Sequence, residues 1–202
     1  MRFKMHSKNL IMIVIALWSA VTFAGNWYLP VSEPKLTAVS GSKGKTHAAM
    51  SDVANEGVAG FTWVERGDKP CQITTEYSFH FTSGMADRDH AFKEHACSGT
   101  GKSTHYIKLA KPETEWVHAV QVCLNKKGTR LKGIRIWPTS FTGSGKMTRL
   151  TKSREKKLTN CNQWKTKVQC SSGQFARGVQ VHYTEDHGYK GIALKCGQIE
   201  YR

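Results

Sequence analysis

Acid is scarce in this sequence. Its 202 residues carry 15 Asp+Glu against 30 Lys+Arg, a formal charge of +15. Long apolar runs are nearly absent too. None after residue 24 is long enough to span a bilayer, which excludes a polytopic membrane protein. There is no C-x-x-C pair, so the cysteines do not read as a zinc ribbon. There is no G-x-S-x-G nucleophile elbow and no catalytic-cysteine signature. No amphipathic helical pattern stands out after residue 24. Five prolines and no Gly-X-Y period exclude a collagen- or mucin-like chain. What is present is aromatic: six Trp, six Tyr and eight Phe are enough to build a core and argue against disorder. The hydrophobic share is 39% and the mean hydropathy is −0.46. The length suits one domain or two small ones.

Residues 1–24 read as a secretory signal peptide. Arg2, Lys4 and Lys8 form a positive start, Leu10 to Phe23 an apolar stretch, and Thr22 and Ala24 a cleavage site before Gly25. The run is short for a membrane span and has no stop-transfer flank. Residues 25–202 are then a single secreted domain with a charge of +12. All six cysteines lie in it: Cys71, Cys97, Cys123, Cys161, Cys170 and Cys196. An even number in an exported chain implies up to three disulfides, and six cysteines allow 15 pairings.

The charge is unevenly placed. Residues 25–98 carry seven Lys+Arg and nine Asp+Glu. Residues 99–168 carry sixteen and three, and residues 169–202 four and three. Two clusters stand out in the middle part. Lys126, Lys127, Arg130, Lys132 and Arg135 surround a hairpin turn at Asn125–Gly128, which puts Lys126 and Lys127 at its tip. Lys146, Arg149, Lys152, Arg154, Lys156 and Lys157 follow Gly143-Ser144-Gly145 and read as a long exposed loop. Cations at this density make a field that attracts polyanions.

The pattern is β. Trp116 to Leu124 and Leu131 to Trp137 alternate and flank a turn, as do Phe175 to Tyr183 and Lys190 to Cys196. Residues 86–95 read as one short turn of helix. The two hairpins match: Val120-Gln121-Val122 repeats as Val179-Gln180-Val181, and Lys132-Gly133-Ile134 as Lys190-Gly191-Ile192. The offsets of 59 and 58 residues suggest duplicated units, three of which fill the chain after residue 24. The first belongs near residues 60–80, where no residue-by-residue alignment emerges. Gly133 and Gly191, at equivalent strand starts, imply a bulge or a close backbone approach.

Residues Cys170-Ser171-Ser172-Gly173-Gln174-Phe175-Ala176-Arg177-Gly178-Val179-Gln180-Val181 and Gly188-Tyr189-Lys190-Gly191-Ile192-Ala193-Leu194-Lys195-Cys196 resemble the repeat unit of vitelline membrane outer layer protein I. Residues 116–137 resemble it less closely. The resemblance implies an all-β fold, a β-prism of three Greek-key sheets about a pseudo-threefold axis, related in shape to jacalin-like lectins. It favours a Cys170–Cys196 bridge, with Cys161–Cys170 as runner-up. The family's Asp-Asp-Thr loop is replaced by Thr184-Glu185-Asp186-His187, and a jacalin-type Gly-x-x-x-Asp is absent near the C-terminus. The resemblance therefore speaks for the fold more than for a ligand site.

Other motifs fall away. Residues 96–103 (ACSGTGKS) imitate a phosphate loop, but a strand-like run follows where a helix is required, so no nucleotide is expected. His90 and His95, like His182 and His187, are five apart, which suits no helical metal pair. No metal or other cofactor is expected. Trp116, Trp137 and Trp164 lie in or beside the basic part, and Trp164, among polar neighbours, is the candidate for stacking on a sugar or base. The function expected is secreted, non-catalytic, lectin-like binding to an anionic or glycan-rich surface. Candidate ligands are acidic polysaccharide, lipopolysaccharide, mucin, another glycoconjugate or extracellular DNA. Lys126, Lys127, Arg130, Lys146, Arg149, Lys152, Arg154, Lys156 and Lys157 would supply the contacts. The alternatives are a secreted enzyme or toxin, such as a nuclease or glycan hydrolase, and a membrane-attacking protein.

Overall fold

A computed structural model describes the backbone of residues 28–30, 33–50, 56–79, 90–93, 97, 100–141 and 146–201. The expected signal peptide lies outside these residues. Strands are numbered along the chain, and among the described residues there is no α-helix. The first four-stranded sheet contains β5 (Glu56–Arg66), β6 (Lys69–Phe79), β7 (His90–Lys93) and β8 (Lys102–Lys108) in the order β7-β6-β5-β8. A hairpin whose fourth strand returns beside the first is a Greek key. The second sheet repeats it. Its hairpin is β9 (Glu115–Leu124) and β10 (Leu131–Phe141). β11 (Met147–Arg149) and β12 (Arg154–Lys157) flank β10, and β13 (Gln163–Trp164) and β14 (Val168–Gln169) flank β9. The third hairpin is β15 (Phe175–Thr184) and β16 (Gly188–Gly197). Its flanks come from the other end of the chain: β2 (Lys35–Leu36) and β3 (Ser40–Gly41) on β16, β4 (Lys45–Met50) on β15. β1 (Tyr28–Pro30) pairs with β17 (Ile199–Tyr201). The fold is a disulfide-stabilised β-prism of three Greek-key-like units, as expected.

The register reveals the third copy that the sequence hid. Each hairpin carries two one-residue bulges. On the first strands the extra residues are Ala59, His118 and Arg177, spaced 59 residues apart. On the second strands they are Cys71, Lys132 and Lys190. Counting from these bulges aligns Phe61 with Val120 and Val179, and Ile73 with Ile134 and Ile192. All six are at most 1% exposed. They meet in one core, which buries the inner faces of the three hairpins. Trp116, Phe141 and Phe175 form a smaller aromatic cluster with ring centroids 4.3–5.6 Å apart.

Three disulfides join Cys71–Cys97, Cys123–Cys161 and Cys170–Cys196. The third matches the pairing the resemblance favoured. The runner-up, Cys161–Cys170, is excluded because Cys161 bonds Cys123 of the central hairpin. Two local expectations also change. Residues 90–93 form an edge strand rather than helix, and the rest of 86–95 lies outside the described residues. The basic stretch from Lys146 to Lys157 is not an open loop: β11 and β12 add two short strands to the edge of β10. Few apolar side chains are needed there, because an edge strand lies at the margin of the core. Gly191 meets its expectation, since a Cβ there would lie 2.6 Å from the Ser42 carbonyl oxygen.

Candidate functional site

The two basic clusters occupy different places. The first lies at one end of the prism. Gly128 (φ 69°) closes the β9–β10 turn with its N–H donating to the Asn125 carbonyl at 2.8 Å. Asn125 Oδ1 accepts from the Thr129 N–H at 2.9 Å, and Lys126 and Lys127 stand exposed at the tip. A pocket of about 330 Å³ opens beside them, lined by Asp68, Arg130, Asn160, Asn162 and His187 among others. Asp68 organises its floor. It accepts from Arg130 Nη1 at 2.9 Å and Asn160 Nδ2 at 2.7 Å, and pairs with Lys132 Nζ at 2.7 Å. Burial pushes the Asp68 carboxyl up, but hydrogen bonds and charge from Lys132 and Arg130 win and hold it below its ordinary value. Arg130 is therefore anchored, whereas Lys126 and Lys127 carry no ion pair among the described residues.

The second cluster splits by strand alternation. In the register of β12 on β10, Arg154 and Lys156 lie opposite Ile136 and Ile134. Both therefore take the inward-facing side of the sheet, but at its margin, where the core has ended. They emerge into the seam between β12 and β8, the edge strand of the first sheet. Glu155 and Lys157 take the outer face, 3.6 Å apart, and Glu155 also pairs with Arg135. Arg149, on β11, donates from Nη2 to the Cys170 carbonyl. Lys146 and Lys152 are exposed.

Two hollows mark the seam. One, about 420 Å³, is lined by Ala110, Glu115, Pro138, Leu150, Lys152 and Arg154. The other, about 260 Å³, is lined by Tyr106, Ile107, Lys108, Arg154, Glu155 and Lys156. Tyr106 is 66% exposed. Sequence reasoning missed it, though the signal was there: Ile107 alternates inward, which turns its neighbour Tyr106 outward. Asp68 and the pocket amides were missed because they come from loops far apart in sequence.

Trp164 is half-buried, and the Arg135 guanidinium lies 4.3 Å from its ring centroid. Arg135 also reaches 6.0 Å from the Trp137 ring, which Lys167 Nζ approaches to 4.3 Å. This outer face thus interleaves its own cations and indoles. Trp116 is fully buried, and its indole N–H donates to the Ser78 carbonyl at 3.1 Å. Among the described residues no group of three or more His, Cys, Asp or Glu could hold a metal ion. No helix among them is long and apolar enough to cross a membrane.

The arrangement defines a β-prism with two basic edges. Its backbone matches Calystegia sepium agglutinin with a TM-score of 0.51 and 9% identity, over 85% of this chain and 99% of that one. It matches Calsepa lectin, in a complex with a biantennary N-glycan, with 0.51 and 8% over the same shares. Frutapin, a lectin from Artocarpus incisa, aligns at 0.46 and 10%, over 82% of this chain and 98% of that one. The first two show the fold of this chain. No family model matches it, and no curated protein does.

Proposed function

We propose that this protein is a secreted, non-catalytic, lectin-like binder of anionic or glycan-rich extracellular surfaces. The observation that carries the reading is the set of exposed cations without carboxylate partners among the described residues: Lys126 and Lys127 at the prism end, Lys152, Arg154 and Lys156 along the seam. A solvated face would not gather them beside concave hollows. The signal-like residues 1–24 and the three disulfides support secretion. The β-prism that the chain shares with glycan-binding lectins supports a carbohydrate ligand.

The test is retention on immobilised heparin. Ionic contacts are screened as the Debye length contracts from about 10 Å at 0.1 M to about 3 Å at 1 M salt. Retention should be strong at low salt and lost at high salt. Retention that ignores salt, or no retention at all, removes the polyanion reading. One observation keeps an enzyme in view: His187 and Asp68 line the same pocket. Nuclease and glycosidase assays on the pure protein decide it.

A further inference from the structure

We infer that the seam between β8 and β12 is a groove for a linear acidic polysaccharide, with Tyr106 as its stacking residue. This rests on the polyanion-binding reading above and assigns it a place and a ligand shape. Lys152, Arg154 and Lys156 recur at every second residue, and all three line the two hollows, which share Arg154. On β12 the strand repeat puts Arg154 and Lys156 about 7 Å apart, and Lys152 lies two residues before Arg154 on the lead-in to that strand. A row of that kind suits an extended chain with repeated carboxylate or sulfate groups, and a single charged sugar would reach only part of it.

Three further features fit. The two hollows share Arg154, so they adjoin along the seam. Lys108 borders the same seam, where Glu76 Oε2 holds its Nζ at 2.7 Å, so the cation row itself runs on the β12 side. Tyr106 stands opposite that row, on an edge strand, with two-thirds of its surface in solvent. An exposed ring beside a polar groove offers a flat apolar face to the C–H side of a sugar. Trp164 cannot do this in the same way, because Arg135 covers one face of it.

The same features disfavour nucleic acid. Proteins that bind single strands stack successive bases on successive aromatic side chains. This seam supplies one ring. A duplex is read by an element that projects into its groove, whereas the seam is concave.

The experiment compares the intact protein with three variants. These are the triple substitution Lys152→Gln, Arg154→Gln, Lys156→Gln, the double substitution Lys126→Gln, Lys127→Gln, and Tyr106→Ala. All sites are exposed, and unchanged melting temperatures establish that the variants fold. The probes are a sulfated oligosaccharide of eight or more sugars, the matching sulfated monosaccharide, and a single-stranded DNA of equal charge. The triple substitution should weaken oligosaccharide binding about tenfold, at the usual strength of three exposed ionic contacts. Tyr106→Ala should weaken it about threefold, with Tyr106→Phe within twofold of the parent. The double substitution, which removes charge at the separate prism end, should weaken it less than the triple does. The monosaccharide should bind far more weakly than the chain. If the double substitution abolishes binding and the triple does not, the groove assignment is wrong while the polyanion reading stands. DNA binding tighter than the oligosaccharide overturns the ligand class. If the parent protein binds none of the probes, the proposed function itself fails.

Discussion

The second and third units carry the same Lys-Gly-Ile segment on the same strand, yet use its lysine in opposite ways. Lys132 and Lys190 are both the extra residue of a bulge. Both carbonyls accept a backbone N–H from the residue just past a flanking strand, from Leu158 at 2.8 Å and from Ser42 at 3.0 Å. The side chains then diverge. Lys132 is fully buried and holds Glu65 Oε1 at 2.7 Å, Asp68 Oδ1 at 2.7 Å and the Asp68 carbonyl at 2.8 Å. Lys190 is half-buried and has no carboxylate partner among the described residues. The bulges show why. Glu65 faces the residue just before its bulge, and Leu124 and Tyr183 hold the same register position in the other units. Lys132 packs against the unit bearing Glu65. By the same symmetry Lys190 would meet Leu124, which can accept nothing. Symmetric backbones thus leave the units free to differ in chemistry.

The largest effect should come from breaking the buried pair. Lys132→Met leaves the Glu65 carboxylate buried without its cation, which typically costs about 3–5 kcal/mol. Burial already pushes the Glu65 carboxyl up, and Lys132 opposes that rise, so losing the lysine should raise it further. Adding Glu65→Leu should restore most of the stability, because replacing a whole buried pair by apolar groups is often neutral. Denaturant midpoints of the single and double variants check this. A single variant as stable as the parent would mean that Lys132 is not the partner that keeps Glu65 charged.

The other bulge gives the next contrast. Ala59, His118 and Arg177 are equivalent and buried, but of the three only His118 carries a side chain that can take up a proton as the pH falls toward 4. Its burial, with Arg149 and Lys167 nearby, pushes the imidazole down to about 4. The unfolded chain takes up that proton near pH 6.5, before the folded protein does. Stability should therefore fall as pH drops from about 6.5 to about 4, by about 3 kcal/mol for this site alone. His105 and His182, also lowered by burial, push in the same direction. His118→Ala should flatten the fall in melting temperature across that window. An unchanged pH slope would place the sensitivity elsewhere.

What the sequence revealed follows the same division. The two later hairpins were legible because Val-Gln-Val and Lys-Gly-Ile recur at nearly constant spacing. The first hairpin was not, because its copies of those positions are Phe61-Thr62-Trp63 and Cys71-Gln72-Ile73, which keep the inward alternation and lose the letters. The β-prism needs buried apolar residues at Phe61, Val120 and Val179 and at Ile73, Ile134 and Ile192, but it does not need the same residues between them. The tip position of Lys126 and Lys127 was readable from turn chemistry alone. The seam was not. It depends on β12 pairing with β10 and then meeting β8, an encounter between sheets that no local pattern encodes. The split of the second basic cluster into groove-facing Arg154 and Lys156 and outward Lys157 needs the strand assignment, which the glycine-rich lead-in concealed.

The smallest expected effect is the sharpest control on the comparison. Lys190→Met removes the same charge from the same bulge of a matching hairpin. Lys190 has no acid to orphan, and its stem already lies along the chain at Gly44, where an added Cβ would come within 2.9 Å of Lys190 Cε. Methionine keeps most of that apolar stem while the ammonium leaves a half-exposed site. The change should stay within about 0.5 kcal/mol, as for surface substitutions that break no buried partnership. If Lys190→Met instead destabilised as much as Lys132→Met, the cost would belong to the bulge and its backbone rather than to Glu65. The same two denaturation curves therefore decide whether the ion pair or the β-prism geometry holds this corner of the protein.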